Sequence, residues 1–225
     1  MGIKTQKRTY RLTGITPLLA GQPASEDLHT QFIKSKCPPD TEDTNHIPTF
    51  EEEEAQRLTV FPVDPQDDST PGLLAYQVKG FFKEALYNLQ AQNHISNPKG
   101  KADSFVFVEP EFILLYRDGH VIEKADDRKE RPLRTMYMGS ELTSLTSSER
   151  ILTPWTCEFT VQLVDSVKEK SRQKSAFLGW EAIEDALDYG SLKGLLQWRN
   201  AGWGRFKWER IDHNDDAESQ DEKTA

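Results

Sequence analysis

From Tyr76 to Gln92 the chain reads YQVKGFFKEALYNLQAQ, and Val78, Phe81, Phe82, Ala85 and Leu89 recur at helical spacing. An apolar stripe on an otherwise polar helix has to be covered by another layer, so this segment commits the chain to packing a helix against something. Lys79 and Lys83 lie one turn apart on another face. Gly80 interrupts the pattern at a cost of about 1 kcal/mol relative to alanine, which predicts close approach of another backbone.

The covering layer is read from β-rich runs on either side. KRTYRLTGI gives a first strand, Lys7 to Ile15, and DSFVFVEPEFILLY gives a second, Ser104 to Tyr116, interrupted by Pro110. WTCEFTVQLVD alternates as a third, and GRFKWERI reads as a last strand. A second helix is predicted from Trp180 to Tyr189, with Trp180, Ile183 and Leu187 on one stripe and Gly190 as its C-terminal cap. The order strand, helix, strand, strand, helix, strand predicts an α+β fold of ferredoxin-like, or RRM-like, βαββαβ plan.

Two insertions interrupt that plan within a single expected domain, residues 1–211. Residues 16–72 contain seven prolines after Gly21 and a four-glutamate run, and read as a long, mostly irregular insertion. Residues 117–153 begin with the tight-turn pair Asp118-Gly119 and read as an arm projecting between the middle strands. Residues 212–225 form an acidic tail. A formal charge of −9 disfavours a general polyanion binder, yet residues 26–68 alone carry −9 and residues 211–225 carry −5, leaving +5 on the remaining body.

That positive charge is densest in YGSLKGLLQWRNAGWGRFKWER, residues 189–210, where Lys193, Arg199, Arg205, Lys207 and Arg210 face one acid, Glu209. Gly202 and Gly204 permit positive φ and leave amides open to phosphate oxygens, arginine offers a forked donor set, and Trp198 and Trp203 offer flat faces to bases. Arg128, Lys129, Arg131 and Arg134 add a second basic group on the arm. An antiparallel sheet backed by helices also leaves one open face, where RNA-binding versions of this plan stack bases.

Catalytic and metal signals are sparse. The five histidines are scattered, and no triad, phosphate-binding loop or dinucleotide fingerprint is present. Cys37 and Cys157 read as ordinary thiols, so neither cofactor nor metal is expected. The start, MGIKTQKRTYRL, lacks a signal-peptide core, Gln6 breaks the myristoylation pattern, and no apolar run is long enough for a membrane span. A cytoplasmic protein with no membrane partner is expected.

In LTGITPLLAGQPASED, YQVKGFFKEAL, the insertion from Arg117 to Pro154, and GLLQWRNAGWGRF, the chain resembles the repeat-associated mysterious proteins of CRISPR effectors, especially the Cas7-like backbone subunits. It is also similar to small phage proteins that carry ERPLR…SLTSSE. The resemblance implies a subunit that binds single-stranded RNA, ahead of DNA, and oligomerises along the strand in a multi-subunit ribonucleoprotein. Lys79, Arg199 and Arg205 would touch the strand's backbone and the arm would wedge its bases. The wider set of expected nucleic-acid contacts is Lys79, Lys83, Arg128, Lys129, Arg131, Arg134, Lys193, Arg199, Gly202, Trp203, Gly204 and Arg205. A second expectation is a phage assembly or interaction protein whose acidic segments bind a protein partner. Some Cas7-like subunits cut RNA with an acid in the loop after the first strand, where Glu26 and Asp27 stand here, so a metal-dependent endoribonuclease is a third.

Overall fold

The computed structural model describes residues 4–24, 58–137, 140–164 and 178–211, with the side chains of 133–137 and 140–145 outside that description. These residues form a mixed α and β protein with three helices and two sheets.

Strand β1 (Thr5–Gly14) alternates in its second half, burying Tyr10 and Leu12 while Arg11 and Thr13 face the other way. It lies between β11 (Thr156–Val164) and β12 (Phe206–Ile211), antiparallel to both. On the far side of β11 come β6 (Val106–Glu109) and β7 (Phe112–Arg117), and β7 carries β5 (Gly72–Leu74) and the short β8 (His120–Val121). The sheet order is therefore β12-β1-β11-β7-β5.

Helices α1 (Ala75–Asn88) and α3 (Trp180–Lys193) pack on the Tyr10 face. Phe81 of α1 meets Phe206 edge-on at 5.5 Å between ring centroids, and Phe82 meets Phe159 at 6.3 Å. Such aromatic pairs contribute about 0.5–1.5 kcal/mol beyond the area they bury. Trp155 is fully enclosed, its indole Nε1 donating to the Thr16 carbonyl at 2.9 Å. No helix among the described residues is long and apolar enough to cross a membrane.

Several local expectations need correction. The first strand starts two residues earlier than Lys7 and ends at Gly14. Ser104 and Phe105 do not open the second strand, because they close a helix, α2 (Pro98–Phe105), started by Asn97 capping Gly100 N and by Pro98 in the first turn. Gly80 meets no neighbouring atom, so close backbone approach is not its role. Gly190 is not a cap: α3 continues to Lys193, and Gly194, at φ +82°, ends it. A side chain at Gly190 would overlap the Phe206 ring, and this contact explains the glycine.

The described ends of the long insertion are also more regular than expected. They supply β2 (Leu18–Leu19), β3 (Gln22–Pro23) and β4 (Leu58–Val60), which join a second sheet. Its centre is the hairpin of β9 (Asp127–Tyr137) and β10 (Ser140–Ile151), paired from Asp127↔Arg150 to Tyr137↔Ser140. β2 and β4 line the other edge of β10, where Thr59 Oγ1 bonds Ser148 Oγ at 2.6 Å. The base of the hairpin is tied to the first sheet by Arg117, whose guanidinium grips both oxygens of Asp126 and donates to the Leu152 carbonyl.

Candidate functional site

The centre of the open sheet face lacks the aromatic rings expected of it, although Phe107 is exposed towards the β6 side. Arg11 sits between Glu158 (2.7 Å) and Glu209 (3.0 Å), Lys7 pairs with Glu109 (2.7 Å), and Thr9 bonds Thr160. Hydroxyls and neutralised charges occupy these central positions, where base stacking would need aromatic rings.

The aromatic and basic side chains gather instead where the loop 194–205 meets the base of the hairpin. The loop folds tightly because its backbone closes on itself and on the segment after β1. Leu195 N donates to Gly204 O (2.8 Å), Gly202 N to Arg199 O (3.0 Å), and Gly204 N to Pro17 O (2.9 Å). Thr16 Oγ1 donates to Gly202 O and accepts from Arg205 N, both at 2.9 Å. The amides of Gly202 and Gly204 are thus committed internally, which corrects their expected role as open phosphate donors. Gly204, at φ +69°, is pressed against the Leu195 backbone, while Gly202, at φ +83°, faces open space.

Trp198 and Trp203 are neither members of the main core nor isolated platforms. Their rings stack on one another, 6.2 Å between centroids and 19° apart in plane. Two arginines of the hairpin reach over them, Arg131 at 5.2 Å from the Trp198 centroid and Arg150 at 6.0 Å from that of Trp203. Arg131 Nη2 also donates to Gln197 Oε1. The arm and the loop, remote in sequence, therefore form one seam.

The other cations divide between several neighbours. Arg199 pairs with Glu84 of α1 at 2.6 Å, and Lys193 approaches the same carboxylate at 3.9 Å while bonding Asn200. These residues, with Leu196 and Trp198, line a pocket of about 310 Å³. Arg205 Nε donates to the Ser191 carbonyl at 2.6 Å. Lys79 and Lys83 face α2: Lys79 donates to the Asp103 carbonyl and lies over Phe107, and Lys83 pairs with the Asp103 carboxylate at 2.8 Å. They engage different neighbours from Arg199 and Arg205. Arg128 and Lys129 are exposed on β9, opposite Glu149 and Ser148. Arg134 pairs through its backbone with Thr143, its side chain lying outside the described set. Glu26, Asp27 and Cys37 lie outside the described residues altogether.

Arg150, Gln197 and Glu84 belong to this constellation and were not singled out from sequence. Arg150 had a signal, since the alternation of SLTSSERI puts it on the Ser148 side of the hairpin. Glu84 had none, because its partners lie on another helix and a distant loop. Cys157 is fully buried, and burial pushes its thiol up to about 12. Among the described residues no three His, Cys, Asp or Glu side chains converge on a metal-sized site. No protein-family model matches the chain, and no curated protein is significantly similar to it.

Proposed function

We propose that this protein binds single-stranded nucleic acid, RNA ahead of DNA, along the seam between its arm and its glycine-rich loop, and that copies assemble along the strand in the cytoplasm. The observation that carries the reading is the convergence of Arg131 and Arg150 of the hairpin on the stacked Trp198 and Trp203 of the loop. Cations over flat rings, with exposed Arg128 and Lys129 on the same strand, are what a flexible polyanion with exposed bases recognises.

The reading takes the core to be ferredoxin-like. Its support is the strand order β12-β1-β11-β7, in which the first strand lies between the last and the third and two helices share one face. The arm leaves the sheet between the middle strands, which accords with the resemblance to Cas7-like subunits. Because the centre of the open sheet face is filled with charge pairs, binding falls to the arm and the loop.

Fluorescence anisotropy of labelled single-stranded RNA and DNA tests this. For three to four phosphate contacts, affinity should fall roughly 20- to 50-fold between 50 and 200 mM salt. Arg128→Ala with Lys129→Ala should weaken binding without lowering the melting temperature. Absence of binding by the wild-type protein at 50 mM salt would sink the proposal.

A further inference from the structure

Among the described residues, Arg131 is a buried member of the seam that no carboxylate answers. It is only 6% exposed, and its Nε has no hydrogen-bond partner among the described residues. Arg8, Arg11, Arg117, Arg150 and Arg199 each pair with a carboxylate. Arg131 has the neutral Gln197 amide and the face of Trp198. Desolvation pulls its ionisation below the usual arginine value, with no acid among the described residues to offset it. Burying an ion without a counter-ion is among the costlier things a fold can do.

The loop opposite is strained in the same place. Leu196 and Trp198 hold φ of +62° and +57°, a region bulky side chains avoid, and they flank Gln197. Such strain persists where surrounding structure enforces it, and it gathers at ligand sites. Here its result is to aim Gln197 and Trp198 at Arg131.

We infer that Arg131 is the capture point for one phosphate group, with Gln197 holding the guanidinium fork until a phosphate oxygen displaces it. The bond to the Gln197 amide is charged at the donor alone and uses one edge nitrogen, whereas a phosphate adds the opposite charge and can take two parallel N–H bonds, so it outcompetes the amide for the same donors. Trp198 would keep the guanidinium plane oriented, presenting its forked edge to two oxygens. A phosphodiester fits better than a peptide carboxylate because exposed Lys129 stands two residues from Arg131 on the same face of β9, with Arg128 at its edge, which suits a run of negative charges. This inference rests on the single-strand reading for the source of the phosphate, but the anion site can be tested without it.

Thermal melting and tryptophan emission of the full chain are followed in chloride, in inorganic phosphate at equal ionic strength, and with a ten-nucleotide single-stranded RNA. Wild type is expected to melt higher in phosphate than in chloride and to change its emission. Arg131→Met should melt no lower than wild type in chloride, lose the phosphate response, and bind RNA at least tenfold more weakly. Arg131→Lys, which keeps the charge but not the fork, should fold and lose most of the response, so the test survives a Met variant that does not fold. An unchanged wild-type melting temperature and emission in phosphate overturns the inference, as does a phosphate response retained in both variants. A response that needs Arg131 in a protein that binds no RNA leaves a free-phosphate site and removes the single-strand source. RNA binding indifferent to Arg131 keeps the strand reading and removes this site.

Discussion

At Gly190 a β-carbon would run into the Phe206 ring, which is fully buried under α3, whereas at Gly80 it would point into open space on the exposed side of α1. Two glycines in helix interiors should therefore respond with opposite signs. Gly190→Ala is expected to destabilise by about 1–3 kcal/mol through overpacking. Gly80→Ala should stabilise by about 0.5–1 kcal/mol, since it removes glycine's conformational cost and meets nothing. Urea denaturation of both variants checks this, and a stabilised Gly190→Ala would mean that α3 does not lie against β12 as described. Sequence assigns Gly80 the close approach and Gly190 a cap, and the structure moves the close approach to Gly190. The distinction lies in what packs above each, which is set by a strand far along the chain. The same limit hides the Arg199–Glu84 pair, while the composition of the loop around Arg199 is visible in one dimension.

The arm is held at its base by two carboxylate clasps. Arg117 bonds both oxygens of Asp126, and Arg150 grips Asp127 across the first register pair of the hairpin. Asp126 is held below the usual carboxylate value chiefly by Arg117, with help from the Leu152 amide, and Asp127 is lowered chiefly by Arg150. A carboxylate lowered in the folded state contributes stability that is complete above its unfolded value of about 3.9 and is lost as pH falls through the folded value. Asp126→Asn is thus expected to melt below wild type at pH 6, by the equivalent of about 1–2 kcal/mol. The gap should begin to narrow as pH falls below about 4 and should close as pH passes the lowered folded value, where wild type loses the same charge. A gap of constant size from pH 6 to pH 3 would show that the clasp does not act through ionisation. At this scale the strands and the two long helices were legible, because burial on one side leaves a periodic trace in β1, β11 and α1. Helix α2 left almost none: PKGKADSF buries only Pro98 and Ala102, so its evidence was the capping pair Asn97-Pro98. β2, β3 and β4 are too short for periodicity and exist through pairing with the hairpin or, for β3, with β4.

Over the whole molecule the unequal distribution of charge matters more than its total. The chain carries −9, but residues 26–68 hold −9 and residues 211–225 hold −5, so the rest of the sequence, which includes the arm and the loop, sums to +5. The site was legible to the same extent: charge and aromatic content pointed to the loop and to the arm separately, and only tertiary structure joins them through Arg131 and Trp198. A strand approaching the seam meets the field of the body together with that of the acidic segments. Fields of this kind extend about 10 Å at 0.1 M salt and about 3 Å at 1 M, so they act mainly on the rate of encounter. Deleting residues 212–225 removes six acids and one lysine and brings the net charge to −4. If nucleic acid is the ligand, stopped-flow association with single-stranded RNA should become several-fold faster at 50 mM salt, with dissociation little changed. The two proteins should converge at 0.5 M salt, where the tail's charge is screened from the seam. A rate difference that persists at high salt would mean that the tail obstructs the seam by contact, and the absence of any difference at 50 mM would mean that the strand approaches from a side the tail's field does not reach.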